Sequence, residues 1–495
     1  MTQIIDFTER LTRAQRLLRI LQGEQARHLN DAEHCLKIAE MSARLAWQCH
    51  AGTFMLPHVE TLLATHETLA DNTGSSTEML RMVAGRTLHV MSEAYAVGGH
   101  TRLVKRWIQL MGEDRHALVL VRQKSPFQPE WVLPPESEVP LIDLAKEGLN
   151  RRSRVSRLIA LFKVARRVIL HIHPDDAVSV AAAYRVPEAD IRFLDHADHV
   201  AWLGAGLPHS FINLRERGVR LAQSRRGIDP AHCDVVPLPI TPPAPVSRAE
   251  ARAHFGLSES DILVLTIASA YKFKPVGNRS LRSPMDRFLA RRNVKFMVVG
   301  AGPKHPLFAR LAEEHPGQVF CLGNVPAPDL HRAAADIYLD SFPFASITSM
   351  LESAAVGTPI VAYQPNRLEL EILYSECGWL PETLYSAPDA ARVVDLLNAL
   401  ADDKQLRESL AERGRVGMAM YYPEAWRTAI SASLARTFPA RRGQPGQAQF
   451  RDDLLDQVLA GLLGDVRDLV GRSEHDDLDT LARCQIAMAR TLKRL

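Results

Sequence analysis

The sequence predicts an α/β protein built from two Rossmann-like, doubly wound domains with helical extensions at both ends. Three observations lead to this class. From about residue 86 onward, short apolar runs alternate with helical segments. A proline-rich stretch at 241–247 interrupts this alternation once. At 495 residues the chain is also too long for a single core. Alternating strands and helices form parallel sheets that helices cover on both faces.

The first region, 1–85, is predicted to be helical. Apolar residues recur there at helical spacing, as in Leu17, Leu18 and Leu21. The polar stretch 71–77 is expected to be a loop.

The next region, 86–245, is predicted to form the first Rossmann-like domain. Its expected strands are short, apolar and separated by helical segments. They cover 87–93, 117–121, 139–144, 167–173, 191–196 and 234–239.

The second Rossmann-like domain is expected to cover 246–440. Its predicted strands cover 262–268, 294–300, 319–323, 337–341 and 359–363. Residues 441–448 are rich in glycine, proline and glutamine and predict a linker. The whole segment 441–495 is expected to be this linker followed by an amphipathic helical extension.

Composition excludes several classes of protein. Charged residues make up 24% and the net charge is +3, so nothing indicates a nucleic-acid partner. Six cysteines stand without a Cys-x-x-Cys pair, which argues against a disulfide framework and a zinc site. No apolar leader and no run of 18 apolar residues are present, so we expect a cytoplasmic protein with no integral membrane segment. The basic run 151–157 predicts a solvated helix face, with a peripheral position at the inner membrane surface as the alternative.

The segment 336–361 carries the most specific pattern. A strand ends at Asp340, and a helix is expected to open near Ser346. Ser346, Thr348 and Ser349 then lie at a helix N-terminus, where free N–H groups and hydroxyls favour a phosphate. Glu352 follows one turn later and can accept both hydroxyls of a ribose. A serine cap with a solvated glutamate is the structural alternative.

This segment resembles the nucleotide-binding region of GT-B glycosyltransferases. It is most similar to the protein O-GlcNAc transferases and the related bacterial N-glycosyltransferases. The resemblance implies that Thr348 and Ser349 hold a pyrophosphate and Glu352 a ribose. Ile347 departs from the family, which has His or Asn there. Phe344 stands where retaining GT-B enzymes have the first acid of an E-x7-E pair, which favours an inverting reaction.

A second match lies in the stretch 268–275, which follows a predicted strand. Its Tyr-Lys pair, apolar residue and proline resemble the same family, and the resemblance implies that Lys272 contacts the donor diphosphate. A fixed ammonium stabilises the charge that develops on a departing nucleoside diphosphate. Lys274 is the second candidate. Gly300 and Gly302, in a turn after another strand, are expected either to allow close approach of the ligand or to turn the chain tightly.

The first domain supplies the candidates for acid–base chemistry. Gly98 and Gly99 follow a strand and look like the glycine-rich loop of GT-B enzymes. His100 comes next, and His196 follows another strand. Histidine is the usual general base near neutral pH. His100, His196 and Lys272 are therefore the predicted catalytic residues.

The expected function is transfer of a sugar from a nucleotide donor, UDP-linked by the resemblance, to a protein or glycan acceptor. The domain 246–440 would bind the nucleotide sugar, and the domain 86–245 would lie on the acceptor side. The resemblance implies an inverting reaction with no metal and no cofactor beyond the nucleotide sugar. Two alternatives stay open, namely a sugar-nucleotide epimerase of the same fold and a non-catalytic scaffold. The helical ends are candidates for binding a protein partner or for self-association.

Overall fold

A computed structural model describes residues 2–96, 99–124, 126–439, 450–466 and 469. The chain divides into two compact units. The first comprises 1–237 and 427–495, and the second comprises 238–426. No helix within the described ranges combines the length and apolar character that a membrane crossing requires.

The first unit contains a seven-stranded parallel sheet with strand order β3-β2-β1-β4-β5-β6-β7. Its strands are β1 Thr87–Met91, β2 His116–Leu120, β3 Leu141–Asp143, β4 Arg167–His171, β5 Ile191–Asp195, β6 Ser210–Asn213 and β7 Cys233–Val235. The strands β2 and β5 are buried along their whole length, because helices cover both faces of the sheet.

The second unit contains a six-stranded parallel sheet with strand order β10-β9-β8-β11-β12-β13. Its strands are β8 Ile262–Ile267, β9 Val294–Val299, β10 Val319–Cys321, β11 Ile337–Leu339, β12 Ile360–Tyr363 and β13 Ser386–Ala387. In both sheets the chain starts in the middle, builds outward to one edge, and then returns to continue on the other side. This is the doubly wound order that the alternation of elements predicted.

The α-helices follow the strands in the alternating pattern. In the first unit they are α1 Thr2–Arg27, α2 Ala32–Cys49, α3 Pro57–Thr65, α4 Thr77–Val83, α5 Gly99–Met111, α6 Arg151–Val164, α7 Ala177–Tyr184, α8 Glu216–Arg226 and α18 Leu454–Leu462. In the second unit they are α9 Arg248–His254, α10 Arg282–Phe288, α11 Pro306–Glu314, α12 Asp329–Ala334, α13 Ile347–Ala355, α14 Glu382–Tyr385, α15 Ala390–Asp402 and α16 Lys404–Gly417. The helix α17, Pro423–Ala435, begins at the end of the second unit and continues into the first.

The helical region 1–85 shares one apolar core with the first sheet. Leu36 and Ala39 of α2, Leu88 of β1 and Leu170 of β4 belong to the same buried cluster. The predicted boundary at 85 therefore separates two stretches that pack together in one unit. The region is helical, as its apolar spacing predicted.

Residues after 426 also belong to the first unit, whereas the predicted second domain extended to 440. The carbonyl of Leu434 accepts a hydrogen bond from Arg167 Nη2 at 2.7 Å, and Arg436 forms an ion pair with Asp234. These contacts tie the end of α17 to β4 and β7. Tertiary contacts of this kind are not visible in the order of elements.

Two strands were missed by the sequence prediction. The strand β6, Ser210–Asn213, is short and contains two polar residues, so no apolar run marks it. The strand β13, Ser386–Ala387, has only two residues and adds to the edge of the second sheet beside β12. Both segments are strands because they form hydrogen bonds with a neighbouring strand, and local composition does not indicate that pairing.

The prediction of a solvated basic face at 151–157 is wrong for three of its arginines. Arg151 forms ion pairs with two glutamates, and Arg157 pairs with Glu147. Arg152 donates to the carbonyls of Thr68 and Ala70. These ion pairs and hydrogen bonds connect α6 to the neighbouring helices and loops.

Candidate functional site

The second sheet reverses its winding direction between β8 and β11. Lys272 lies just after β8, in a 3-10 turn over Ala270–Phe273, and the loop 340–346 follows β11. Lys272 Nζ donates to the carbonyl of Ala345 at 2.7 Å, and the same atom lies 4.7 Å from the centre of the Phe344 ring. Doubly wound sheets bind ligands at the carboxyl ends of strands where the winding reverses. Two of the predicted donor-site segments are therefore in direct contact at that position.

The loop after β11 is held by Asp340. Its Oδ1 accepts the backbone N–H groups of Ser341 at 2.8 Å and Ser346 at 2.9 Å, while Oδ2 accepts from the Ser375 hydroxyl. Burial raises the pKa of the Asp340 carboxyl, and these hydrogen bonds oppose that rise. Asp340 thus sets the path by which the chain enters α13.

The hydroxyls predicted to hold a phosphate lie at the start of α13. Ser346 is the N-cap, although its side chain makes no capping bond, and its hydroxyl contacts that of Ser349 at 3.4 Å. The Thr348 hydroxyl makes no hydrogen bond within the described residues, and its residue is partly exposed. The first turn of α13 therefore presents donors beside Lys272, as an anion-binding helix start requires.

Glu352 has a partner that the sequence did not indicate. Arg332, which is only 6% exposed, donates from Nη2 to Glu352 Oε2. This arginine lies in α12, twenty residues earlier in the chain, and also pairs with Asp329 at 3.2 Å. The predicted ribose contact would therefore be made by a carboxylate that an arginine already orients.

The two glycines of the turn after β9 differ in what they do. Gly300 has φ +94°, and a Cβ there would lie 2.2 Å from the carbonyl oxygen of Ala268. A Cβ on Gly302 would meet no atom within 4 Å. Gly300 thus allows the ends of β8 and β9 to approach each other, whereas Gly302 borders open space. Lys274 ends the 3-10 turn, with its N–H donating to Tyr271 O at 3.1 Å.

The first sheet reverses its winding between β1 and β4, and histidines gather there. Gly99 and His100 open α5 after β1, while Gly98 lies outside the described residues. The rings of His100 and His196 stack with centroids 4.1 Å apart and planes 8° from parallel. The structure therefore brings the two predicted base candidates into contact. Burial is the main cause that lowers both pKa values, to about 4 for His196, so both rings are neutral near pH 7.

Three further histidines form a buried chain across neighbouring strands. His116 Nδ1 lies 2.9 Å from His89 Nε2, and His89 Nδ1 lies 2.9 Å from His171 Nε2. Burial lowers the pKa of His116 to about 4 and that of His171 to about 3. The sequence placed His171 on a strand but did not connect it to His89 or His116. Only the register of β1, β2 and β4 does so.

The loop after β5 is fixed by an internal ion pair. Arg215 binds Asp198 through two nitrogens, at 2.7 and 3.0 Å. His199, whose ring lies 3.3 Å from Asp198, belongs to the same group. The buried Asp195 carboxyl has its pKa raised by burial. Sequence reasoning missed the pair of Asp198 and Arg215, which fixes the loop that follows His196.

Tyr95 is another residue of this region that the sequence did not single out. Its ring stacks on that of His173, with centroids 5.7 Å apart, and His173 lies 6.0 Å from His100 by the same measure. Burial lowers the pKa of His173 to about 3. The rings of Tyr95 and His173 therefore lie next to the stacked pair of His100 and His196.

Two other features lie away from these strand ends. Glu24, His28 and His34, at the junction of α1 and α2, place potential metal-ligand atoms within 4.8 Å of one another. A cavity of about 820 Å³ in the second unit is lined by Asp336 and Thr358, which precede β11 and β12. It therefore opens at the amino edge of that sheet, opposite to the edge of Lys272.

No protein-family model matches the chain, and no curated protein sequence does. Solved structures do match it. A glycosyltransferase from Rickettsia africae has a TM-score of 0.56 and 12% identity, over 71% of this chain and 98% of that one. The Anabaena protein HepE, in complex with UDP and glucose, has a TM-score of 0.53 and 12% identity, over 71% of this chain and 100% of that one. With its two parallel sheets of seven and six strands, the chain therefore has the GT-B glycosyltransferase fold.

Proposed function

We propose that this protein is a glycosyltransferase that moves a sugar from a nucleotide donor, UDP-linked, to a protein or glycan acceptor. One observation carries the proposal. Lys272 and the first turn of α13 meet at the carboxyl ends of β8 and β11, where the second sheet reverses. An ammonium and a helix N-terminus together suit a diphosphate. The fold similarity to HepE, which was solved with UDP, supports the same assignment.

In this proposal the second unit binds the donor. The Lys272 ammonium and the N–H groups and hydroxyls at Ser346, Thr348 and Ser349 stabilise the charge that develops on the departing diphosphate. Glu352, oriented by Arg332, accepts the ribose hydroxyls. Gly302 leaves space at the neighbouring turn.

The first unit supplies the base. The neutral imidazole of His100 takes the acceptor proton as the acceptor oxygen or nitrogen attacks the anomeric carbon, and the bond from that carbon to the diphosphate oxygen breaks. His196 stacks on His100 and fixes its orientation. A neutral ring is required because a base must have a free lone pair.

The proposed reaction inverts the anomeric centre and uses no metal. Phe344 occupies the position where a retaining enzyme would carry its first acid, and its ring faces the Lys272 ammonium. The lysine and the helix start provide positive charge that a metal ion would otherwise supply.

The direct test is a panel of nucleotide sugars scored by thermal shift, followed by UDP release in the presence of a cell extract. A ligand that binds only the native state raises the apparent melting temperature. We expect UDP and one UDP-sugar to do so and UDP release to depend on the extract. A chain that binds no UDP at millimolar concentration would instead be a scaffold, and UDP-sugar epimerised without an acceptor would indicate an epimerase. NMR of the product anomer tests inversion.

A further inference from the structure

A second polar cavity, of about 430 Å³, lies wholly within the first unit. Its wall includes Val121 and Lys124, just after β2, and Ala145, just after β3. It therefore opens at the carboxyl edge of the first sheet, the edge at which doubly wound sheets bind ligands. Helix α2 and the first turn of α6 complete it.

Basic side chains dominate the lining. Against two glutamates, Glu33 and Glu40, the cavity wall carries Lys37, Arg44, Arg122, Lys124, Arg151 and Arg154. Internal carboxylates pair with several of these cations. Arg44 and Arg122 share Asp175, and Arg151 bridges Glu33 and Glu40. Glu33 also accepts the backbone N–H of Arg152, so its carboxylate already binds a free N–H group in the first turn of α6.

Arg154 stands apart from that arrangement. Its side chain forms no hydrogen bond and no ion pair with any described residue, and its Nε is shielded from solvent without a partner. Burial lowers the pKa of its guanidinium, and the neighbouring charge of Arg151 lowers it further. The carboxylates of Glu40, Glu33 and Asp176 attract this charge and oppose that lowering, but none of them bonds to the Arg154 side chain. A partly buried guanidinium with no bonded anion carries a desolvation cost, which an incoming oxyanion would reduce.

The cavity adjoins the histidine cluster along the same sheet edge. The side chain of Gln123 holds Ala94 by two hydrogen bonds, at 2.8 and 3.1 Å. The next residue, Tyr95, stacks on His173, and His173 lies beside His100. The cavity and the proposed base therefore lie at the same edge of the first sheet.

We propose that this cavity binds a phosphate group of the acceptor, so that the acceptor is a phosphorylated glycan or sugar and Arg154 is its principal contact. That the bound molecule is the acceptor rests on the proposed function, but the anion site itself follows from the residues that line the cavity. The volume exceeds the size of one phosphate and leaves room for an attached sugar ring. Arg122, Lys124 and Lys37 add positive charge around the bound group.

The test is calorimetric titration of the full chain with inorganic phosphate and, separately, with acetate at equal ionic strength. UDP is kept saturating so that the donor site does not contribute. We expect phosphate to bind, Arg154→Gln to weaken it about 10-fold or more, and acetate to bind much less. Arg152→Gln is the matched control, because Arg152 lies in the same helix but does not line the cavity.

A second variant guards against a folding defect in Arg154→Gln. Lys124 is exposed on the cavity wall, and Lys124→Gln should also weaken phosphate binding. The proposal is overturned if the wild-type chain does not bind phosphate, if both Arg154→Gln and Lys124→Gln bind it as the wild type does, or if acetate binds equally. UDP titration of Arg154→Gln is expected to match wild type. A wild-type chain that binds phosphate but not UDP would refute the transferase and leave the anion site standing.

Discussion

Lys272 shows how one side chain links two segments of the donor site. Its ammonium is held by the Ala345 carbonyl on one side and by the face of the Phe344 ring on the other. Neither contact neutralises it, since a carbonyl and an aromatic ring carry no net charge. The positive charge is thus positioned at the start of α13, where it also opposes the rise that burial causes in the pKa of the Asp340 carboxyl.

Replacing Lys272 by alanine should lower kcat by about 10²–10³-fold, because one preorganised donor to the leaving group is lost. Lys274→Ala serves as the control from the same turn, and its effect should stay below about 10-fold. Steady-state UDP release measures both. Equal losses in the two variants would contradict the assignment of Lys272 as the diphosphate contact.

The histidine pair predicts the pH dependence of activity. The pKa of His196 is lowered to about 4 and that of His100 well below its ordinary value, in each case mainly by burial. A base acts when deprotonated, so kcat/KM should stay level as pH falls from 8 to 6 and decline only well below 6.5. His100→Gln should cost about 10²–10⁴-fold at pH 7. An acid limb centred at or above pH 6.5 in the wild-type profile would speak against a buried neutral base.

At the scale of elements, the backbone geometry of the turn after β9 restricts which residue can occupy position 300. The Gly300 N–H donates to Gly323 O at 2.6 Å, while its Cα faces the Ala268 carbonyl at the end of β8. Both contacts bring strand ends together beside the 3-10 turn that carries Lys272. The position of the lysine therefore depends on a glycine nearly thirty residues later in the chain.

Gly300→Ala should destabilise the second unit by more than about 1–2 kcal/mol. The positive φ alone costs that much, and the clash with Ala268 O adds to it. Gly302→Ala is the matched control, since its Cβ would meet open space and the residue has no positive φ. Urea denaturation followed by circular dichroism compares the two. Similar midpoints for both variants would rule out the close approach at Gly300.

At the scale of the whole molecule, the first unit buries several histidines within and just after the strands of its sheet. Six histidines have lowered pKa values there, in each case chiefly because burial disfavours the charged ring: His89, His100, His116, His171, His173 and His196. The unfolded chain binds protons on these rings below about pH 6.5, and the folded chain does not. Stability conferred by neutral histidines is therefore present above that pH and lost as the pH falls toward 4.

The melting temperature of the first unit should consequently drop steeply between pH 7 and pH 5. Each histidine contributes up to about 1.4 kcal/mol per pH unit below about pH 6.5, so a total loss on the order of 10 kcal/mol is expected from the six rings. Scanning calorimetry across this range measures it. His89→Gln should make the dependence shallower, because one buried ring is removed. A melting temperature that does not change with pH would show that these rings are already charged when folded.

The sequence predicted eleven of the strands, because buried parallel strands are continuous apolar runs that composition reveals. It also placed Lys272, Ser346 and Thr348 after strand ends, since motif spacing places residues on local elements. It missed β6 and β13, whose existence depends on a neighbouring strand.

What the sequence by itself determined was the order of elements and the chemical types at the strand ends. Only the tertiary structure decided which of those residues meet. The stacking of His100 on His196 and the pairing of Arg332 with Glu352 both join residues that are distant in the chain. The physical reason is that strand order and register, not spacing along the chain, set side-chain distances between different elements.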